Sequence, residues 1–254
     1  MSDLGGKSIL IFGCATGIGA GVARRLARDG AILSLADIKT DAVEELASEL
    51  RDVGYDVIAT GCDVSDEASV NAAVAAVMAE RGRLDGAFMN AAAMHLLSND
   101  VDVLSVDMAT FDGLMAVNLR GPFLCTRAVL PHMIEAGRGA LIYTSSDAAF
   151  DDDEVRPSYA MTKRGLNALV HHVAKRWGKS GISANAIAPG AIVTNTIEPG
   201  SVAEHYYHAF LAQTRAPRLG TPADIAAMVS LLLSDEGAWI NGQIISVNGG
   251  RVLR

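Results

Sequence analysis

The sequence has little that would hold a polyanion. Its 254 residues carry 21 Lys and Arg against 29 Asp and Glu, a formal net charge of −8. A nucleic-acid binder needs a basic surface to neutralise phosphates, and adhesion to an anionic membrane needs the same. Neither partner is expected. Cysteine is also scarce: Cys14, Cys62 and Cys125 are widely spaced, with no CxxC or Cys/His pattern. That excludes a disulfide framework and a zinc site, so no metal is expected. No apolar run approaches the roughly 18–20 residues of a membrane span. The N-terminal residues include the acidic Asp3 and only the short run Ile9–Phe12, too little for a signal-peptide core. A soluble, cytoplasmic protein with reduced cysteines is expected. Aromatics make up 5% and there are 7 prolines. The core therefore falls to Ala, Val, Ile and Leu, as in a buried parallel sheet flanked by helices. Half of the residues are hydrophobic, which excludes a disordered chain.

What is present is an alternation of aliphatic runs and amphipathic helical patterns. Strands are predicted at Ser8–Phe12, Ile32–Asp37, Val57–Cys62, Gly86–Asn90, Ala140–Ser145, Ile182–Ile187 and Gln243–Val247. Helices are predicted at Gly17–Asp29, Asp41–Val53, Ser65–Arg81 with Ser65 as N-cap, Tyr159–Ser180 and Pro222–Ser234. A long helix, Met108–Ala136, is expected to be interrupted near Gly121-Pro122, where proline removes a donor. This βαβα order predicts a doubly wound sheet with helices on both faces, and the absence of any linker or repeat predicts one domain, 1–254.

Gly13-Cys-Ala-Thr16-Gly17-Ile18-Gly19 lies between the first strand and the first helix. Glycines there let the backbone turn tightly and approach a pyrophosphate seated on the helix N-terminus. The spacing is G-x-x-x-G-x-G, not the commoner G-x-G-x-x-G. Asp37 ends the second strand, where a carboxylate accepts hydrogen bonds from adenosine ribose hydroxyls. Asp63 ends the third strand, positioned for an adenine amino group or for a turn before Ser65. Asn90 ends the fourth. All four positions lie at strand carboxyl ends, the edge where open α/β sheets bind ligands.

Tyr159-Ala-Met-Thr-Lys163 opens the long helix after the fifth strand, and a separation of four places both side chains on one face. A tyrosine base near neutral pH needs its pKa lowered by about 2–3 units, roughly 3–4 kcal/mol. One ammonium at about 4 Å and an effective dielectric near 20 contributes about 4 kcal/mol.

Together Gly13-x3-Gly17-Ile18-Gly19, Asp63-Val64, Asn90-Ala91-Ala92, Asn118, Ser145-Ser146, Tyr159-x3-Lys163 and Pro189-Gly190 resemble the short-chain dehydrogenase/reductase family, over about Lys7 to Gly250. The resemblance implies a seven-stranded parallel Rossmann sheet in the order 3-2-1-4-5-6-7 and a substrate lid around 191–221. It also implies a homotetramer and a nicotinamide cofactor, and the Asp37 carboxylate, which would repel a 2′-phosphate, points to NAD. Ser146 would bond the substrate oxygen, with Ser145 the weaker candidate, and Tyr159 would pass the proton. Lys163 would lower the tyrosine pKa and bind the nicotinamide ribose, and Asn118 would hold a water linking Lys163 to solvent. Pro189, Gly190, Ile192 and Thr194 match the segment that cradles the carboxamide, and Gly249-Gly250 the closing glycines. Phe12, Ala93 and Asn248 depart from the usual Thr, Gly and Asp, which removes a threonine hydroxyl and a glycine from a brace between the first and fourth strands.

An NAD-dependent oxidoreductase acting on a secondary alcohol or its ketone is the function implied. Thr16 and Ile38 stand where an NADP enzyme of this family would place a basic residue. A methyltransferase shares the glycine turn and the acid but would not need Ser146, Tyr159 and Lys163; a non-catalytic nucleotide-binding protein would be free to lose them. The acidic run Asp151–Glu154 reads as a solvated loop, His171-His172 as structural or interface residues, and His205-Tyr-Tyr-His208 as pocket lining or exposed helix.

Overall fold

Successive residues of a strand face opposite sides of a sheet, and this chain fills both sides with aliphatics. In β1 (Ser8–Phe12), Ile9 and Ile11 enter one core while Leu10 and Phe12 enter the other. The structure, a computed structural model, describes residues 3–151, 154–194 and 202–253, with the backbone alone at 202–204. After β1 come α1 (Gly17–Arg28), β2 (Ile32–Asp37), α2 (Thr40–Asp52), β3 (Val57–Gly61), α3 (Glu67–Arg81) and β4 (Gly86–Met89). The second half holds α4 (Met108–Met115), α5 (Gly121–Ala136), β5 (Gly139–Thr144), α6 (Pro157–Trp177), β6 (Ile182–Pro189), α7 (Val202–Gln213), α8 (Pro222–Leu233) and β7 (Ile244–Val247). The strands form one parallel sheet in the order β3-β2-β1-β4-β5-β6-β7, as expected. Residues of α1, α2 and α8 pack on one face and those of α3, α5 and α6 on the other. The order reverses between β1 and β4, which opens a crevice at their carboxyl ends.

Several expected boundaries shift for local reasons. Ser65 does not cap α3; Asp66 does, its carboxylate accepting from Ala68 N and Ser69 N. A carboxylate one residue nearer the helix reaches its free amides, and Ser65 instead folds back on Asp63. Between α4 and α5 lies a π-helical turn, Ala116–Arg120, closed by Gly121 N bonding to Ala116 O. Pro122 has no N–H to give the Asn118 carbonyl, and the wider turn directly precedes it. Helix α6 starts at Pro157 rather than Tyr159 and is followed by a 3₁₀ turn, Gly178–Ser180.

Candidate active site

Backbone builds the turn after β1. Gly13 has φ +81°, and a Cβ on it would stand 2.4 Å from the Ala91 backbone; one on Gly19 would stand 2.2 Å from Gly13 O. Two strands and a helix thus converge where only hydrogen atoms fit. Asn90 locks the junction: its Nδ2 donates to Gly13 O at 2.6 Å, and its Oδ1 accepts from Thr144 Oγ1 at 3.0 Å. Asn90 N also donates to Phe12 O at 2.9 Å. The first and fourth strands are therefore braced without the threonine hydroxyl, and Phe12 spends its side chain on the core.

Thr16 gives α1 no side-chain cap, so the first amides of the helix lack that partner. Ile18, partly buried, packs on the core beside them. Asp37 faces this turn, accepting from Ala15 N at 2.9 Å and from Lys39 N at 3.0 Å. Asp63 accepts from Ser65 N and Ser65 Oγ through a single oxygen, Oδ1, which favours the turn-forming role for that atom. Val64 is buried against Gly121.

Beyond β6, Gly190 N donates to Val247 O and Val193 N to Gly220 O. Ile192 bridges to Gly220, and a Cβ on Gly17 would stand 3.3 Å from Thr194 Cγ2. The Pro189–Thr194 segment and the glycine turn thus share one rim. A cleft of about 550 Å³ opens there, lined by Ala15, Thr16, Gly17, Thr194 and the start of α8. It extends along the arginines of α1 and does not include Tyr159.

Side chains build the other half. Ser146 follows β5 and opens a 3₁₀ turn, Asp147–Ala149, its Oγ accepting from Ala148 N at 3.2 Å. The Ser146 hydroxyl lies near enough to Tyr159 to oppose the upward shift of its phenol. Ser145, nearly fully buried, donates instead to Asn167 Oδ1 at 2.7 Å, so it braces α6. Lys163 is 2% exposed. Its Nζ donates to Thr144 O at 2.7 Å and lies 5.5 Å from the centre of the Tyr159 ring. Burial brings the lysine down to about 8.

The expected lowering of Tyr159 by that ammonium is not what this geometry gives. Burial is the largest influence and pushes the hydroxyl up, the Asp147 charge adds to it, and the Ser146 hydroxyl and Arg156 oppose it. Asn118, in the π turn, is fully buried; its Oδ1 accepts from Ala93 N at 2.9 Å, and its Nδ2 finds no acceptor among the described residues.

Two supports were not legible in the sequence. Arg156, the residue before α6, has φ +65° and provides no side-chain cap. Asp100, 1% exposed, does that work from 59 positions upstream of Tyr159, accepting from Ser158 N at 3.2 Å and Tyr159 N at 2.8 Å. A carboxylate at a helix N-terminus satisfies free amides and opposes the positive end of the dipole. Arg251 donates to Asp147 Oδ2 at 2.7 Å and sits 2.9 Å from Asp151. No sequence motif marks either residue.

The remaining features fall outside the centre. Asp151 pairs with Arg251, so the acidic run is not wholly solvated; Asp152 and Asp153 lie outside the described residues. His171 and His172 are exposed on α6, and His172 meets Trp177 edge to face. His205 and His208 are exposed on α7. Burial pushes all three thiols up, Cys62 to about 11, which leaves them poor nucleophiles.

Comparison with known proteins matches this arrangement. The family model described as enoyl-(acyl carrier protein) reductase covers residues 13–251. Levodione reductase of Leifsonia aquatica is 36% identical over 96% of this chain and 94% of its own. A probable short-chain type dehydrogenase/reductase of Bradyrhizobium diazoefficiens is 35% identical over 98% and 89%. Among solved structures, a 7α-hydroxysteroid dehydrogenase complexed with NADH and 7-oxo glycochenodeoxycholic acid superposes with a TM-score of 0.89 at 30% identity, covering 99% of this chain and 96% of that one. Sheet order, strand-end site and relatives agree: the chain belongs to the short-chain dehydrogenase/reductase family of oxidoreductases.

Proposed function

We propose that this chain is an NAD-dependent oxidoreductase that interconverts a secondary alcohol and its ketone, with Tyr159 donating and accepting the proton. One observation carries the reading: at the ligand-binding edge of the sheet the buried Lys163 ammonium, held by Thr144 O, lies 5.5 Å from the centre of the Tyr159 ring, with Ser146 on the adjoining turn. A bound nicotinamide supplies or takes the hydride.

The chain's own groups do the rest. Ser146 Oγ orients the substrate oxygen and Tyr159 moves the proton at that oxygen. A hydroxyl held above its ordinary pKa stays protonated at neutral pH, which suits donation to a ketone; the reverse reaction calls for alkaline solution. Lys163, titrating at about 8, is largely charged at neutral pH and holds the nicotinamide ribose. The unpartnered Nδ2 of Asn118 fits a role in holding a water that links Lys163 to solvent.

The residues present fit the cofactor. The N-terminus of α1, without a side-chain cap, offers amides to a pyrophosphate at Gly13, Thr16, Gly17, Ile18 and Gly19. Asp37 serves the adenosine ribose, Asp63 and Val64 the adenine, and Asn90 holds the turn. Pro189, Gly190, Ile192 and Thr194 serve the carboxamide. A 2′-phosphate about 4 Å from Asp37 would be repelled by about 4 kcal/mol at an effective dielectric near 20, which favours NAD over NADP.

The same reading includes a substrate lid around 191–221, a homotetramer and a cytoplasmic location. Exposed Met108, Phe123 and Met161 on α4, α5 and α6 support subunit pairing, and free, buried cysteines support a reducing compartment. The test is absorbance at 340 nm with NAD and a panel of secondary alcohols, with the mass read by light scattering. Nucleotide binding without hydride transfer to any alcohol or ketone would favour the non-catalytic alternative.

A further inference from the structure

We infer that Arg251 is a positioning residue that ties the end of α7 to the catalytic turn and balances the charge facing Tyr159. The inference rests on the reading of Tyr159 as acid/base.

The guanidinium reaches three acceptors on two stretches of chain. Nη1 donates to Asp147 Oδ2 at 2.7 Å, Nη2 lies 2.9 Å from Asp151, and Nε donates to Gln213 Oε1 at 3.0 Å at the last residue of α7. The Arg251–Asp147 pair is largely withdrawn from water, with side chains 14% and 10% exposed. A planar fork serves three acceptors in fixed directions, which a lysine ammonium cannot reproduce.

The segment that carries Arg251 is itself fixed. Arg251 N bonds to Asn248 O, Asn248 Oδ1 accepts from Gly250 N, and Asn248 Nδ2 donates to Val252 O. Gly249 O accepts from Arg215 N and Ala216 N, just past α7. The closing glycines and the asparagine that departs from the family pattern thus set the base from which the arginine extends.

The catalytic turn lies at the other end. Asp147 follows Ser146, its Oδ1 lies 3.3 Å from Ser146 Oγ, and its charge raises the Tyr159 pKa. The charged groups facing Tyr159 are Asp147 from the turn after β5, Arg156 just before α6, Lys163 one turn further along that helix, and Asp100 at its backbone amide. Without Arg251, Asp147 would be a nearly buried carboxylate lacking its closest cation, next to the proton-transfer group.

Three variants of the full chain test this: Arg251→Ala, Arg251→Lys and Arg251→Ala with Asp147→Asn. Two readouts are used, the pH profile of alcohol oxidation and hydrogen exchange across 205–213. In Arg251→Ala the limb on which kcat/KM rises with pH should move up by about one pH unit, as an uncompensated neighbouring anion does to an acid, and exchange should quicken. Arg251→Lys should restore the limb but not the slow exchange. The double variant should restore the limb alone. Wild-type exchange in both single variants would overturn the tether, and that readout stands even if no substrate turns over. An unmoved limb in Arg251→Ala, with wild-type turnover established, would overturn the charge-balancing role.

Discussion

Around Gly13 the candidate site is assembled from main chain, whereas around Tyr159 it is assembled from side chains whose partners lie far along the sequence. The glycine turn needs its residues to be absent of Cβ and is locked by Asn90 through backbone groups. The cluster around Tyr159 needs specific atoms at specific places, and these are held by Asp100, Thr144, Asp147 and, through Asp147, Arg251. The first arrangement coincides with good packing. The second buries a lysine against its hydration and half-buries a tyrosine, so it carries a stability penalty.

Substitutions in each half sharpen that contrast. The largest effect is expected from Gly19→Ala, whose Cβ would stand 2.2 Å from Gly13 O and 2.7 Å from Cys14 Cα. Both contacts are with backbone that cannot yield, so a loss of about 3 kcal/mol is expected in a urea titration. An unmoved midpoint would show the turn to be looser than described. Next, Tyr159→Phe should lower turnover at least about a hundredfold, or about 2.7 kcal/mol of barrier, while melting and NAD binding stay near wild type. Near-normal turnover would remove Tyr159 from the mechanism.

Lys163→Met should do the reverse of most core changes and stabilise the fold at pH 7 by about 2 kcal/mol, because a buried ammonium is replaced by an apolar chain of similar length. The sign follows from linkage. The unfolded lysine keeps its proton to about 10.5 and the folded one only to about 8. Wild-type stability therefore rises between those values, and the advantage of the variant should shrink over the same range. Melting curves at pH 7 and pH 10 check this; a variant less stable than wild type at both would show that the bond to Thr144 O outweighs desolvation. The smallest effect is expected from Asp37→Ala, which should erase a tenfold preference for NAD over NADP, about 1.4 kcal/mol. Equal efficiency with the two cofactors in wild type would contradict the assignment.

The sheet and the backbone-built half were almost fully legible in sequence. Aliphatic runs flanked by glycine placed every strand within two residues of its ends, because local pattern and global burial agree there. Ser145 and Ser146 could be told apart only by geometry: adjacent residues on an extended chain point opposite ways, so one meets Asn167 and the other Tyr159. The start of α6 was misplaced because its cap comes from Asp100, and no local residue announces it. The direction of the Tyr159 shift was misjudged for a related reason. Spacing of four puts Lys163 on the right face but says nothing of the Thr144 carbonyl that holds its ammonium, or of the desolvation that pushes the tyrosine up.

The Asp100 cap has a consequence for how this chain gains its native state. The carboxylate and the amide it serves are 59 residues apart, and the Arg251–Asp147 pair is separated by 104. Such contacts form only after long loops close, each at an entropic cost that local turns do not bear. Helices and the first strand pairs can form while Tyr159 still samples other positions. On dilution from urea, far-UV circular dichroism should therefore recover ahead of turnover, and a protease present during that interval should cut near the start of α6, where the helix awaits its distant cap.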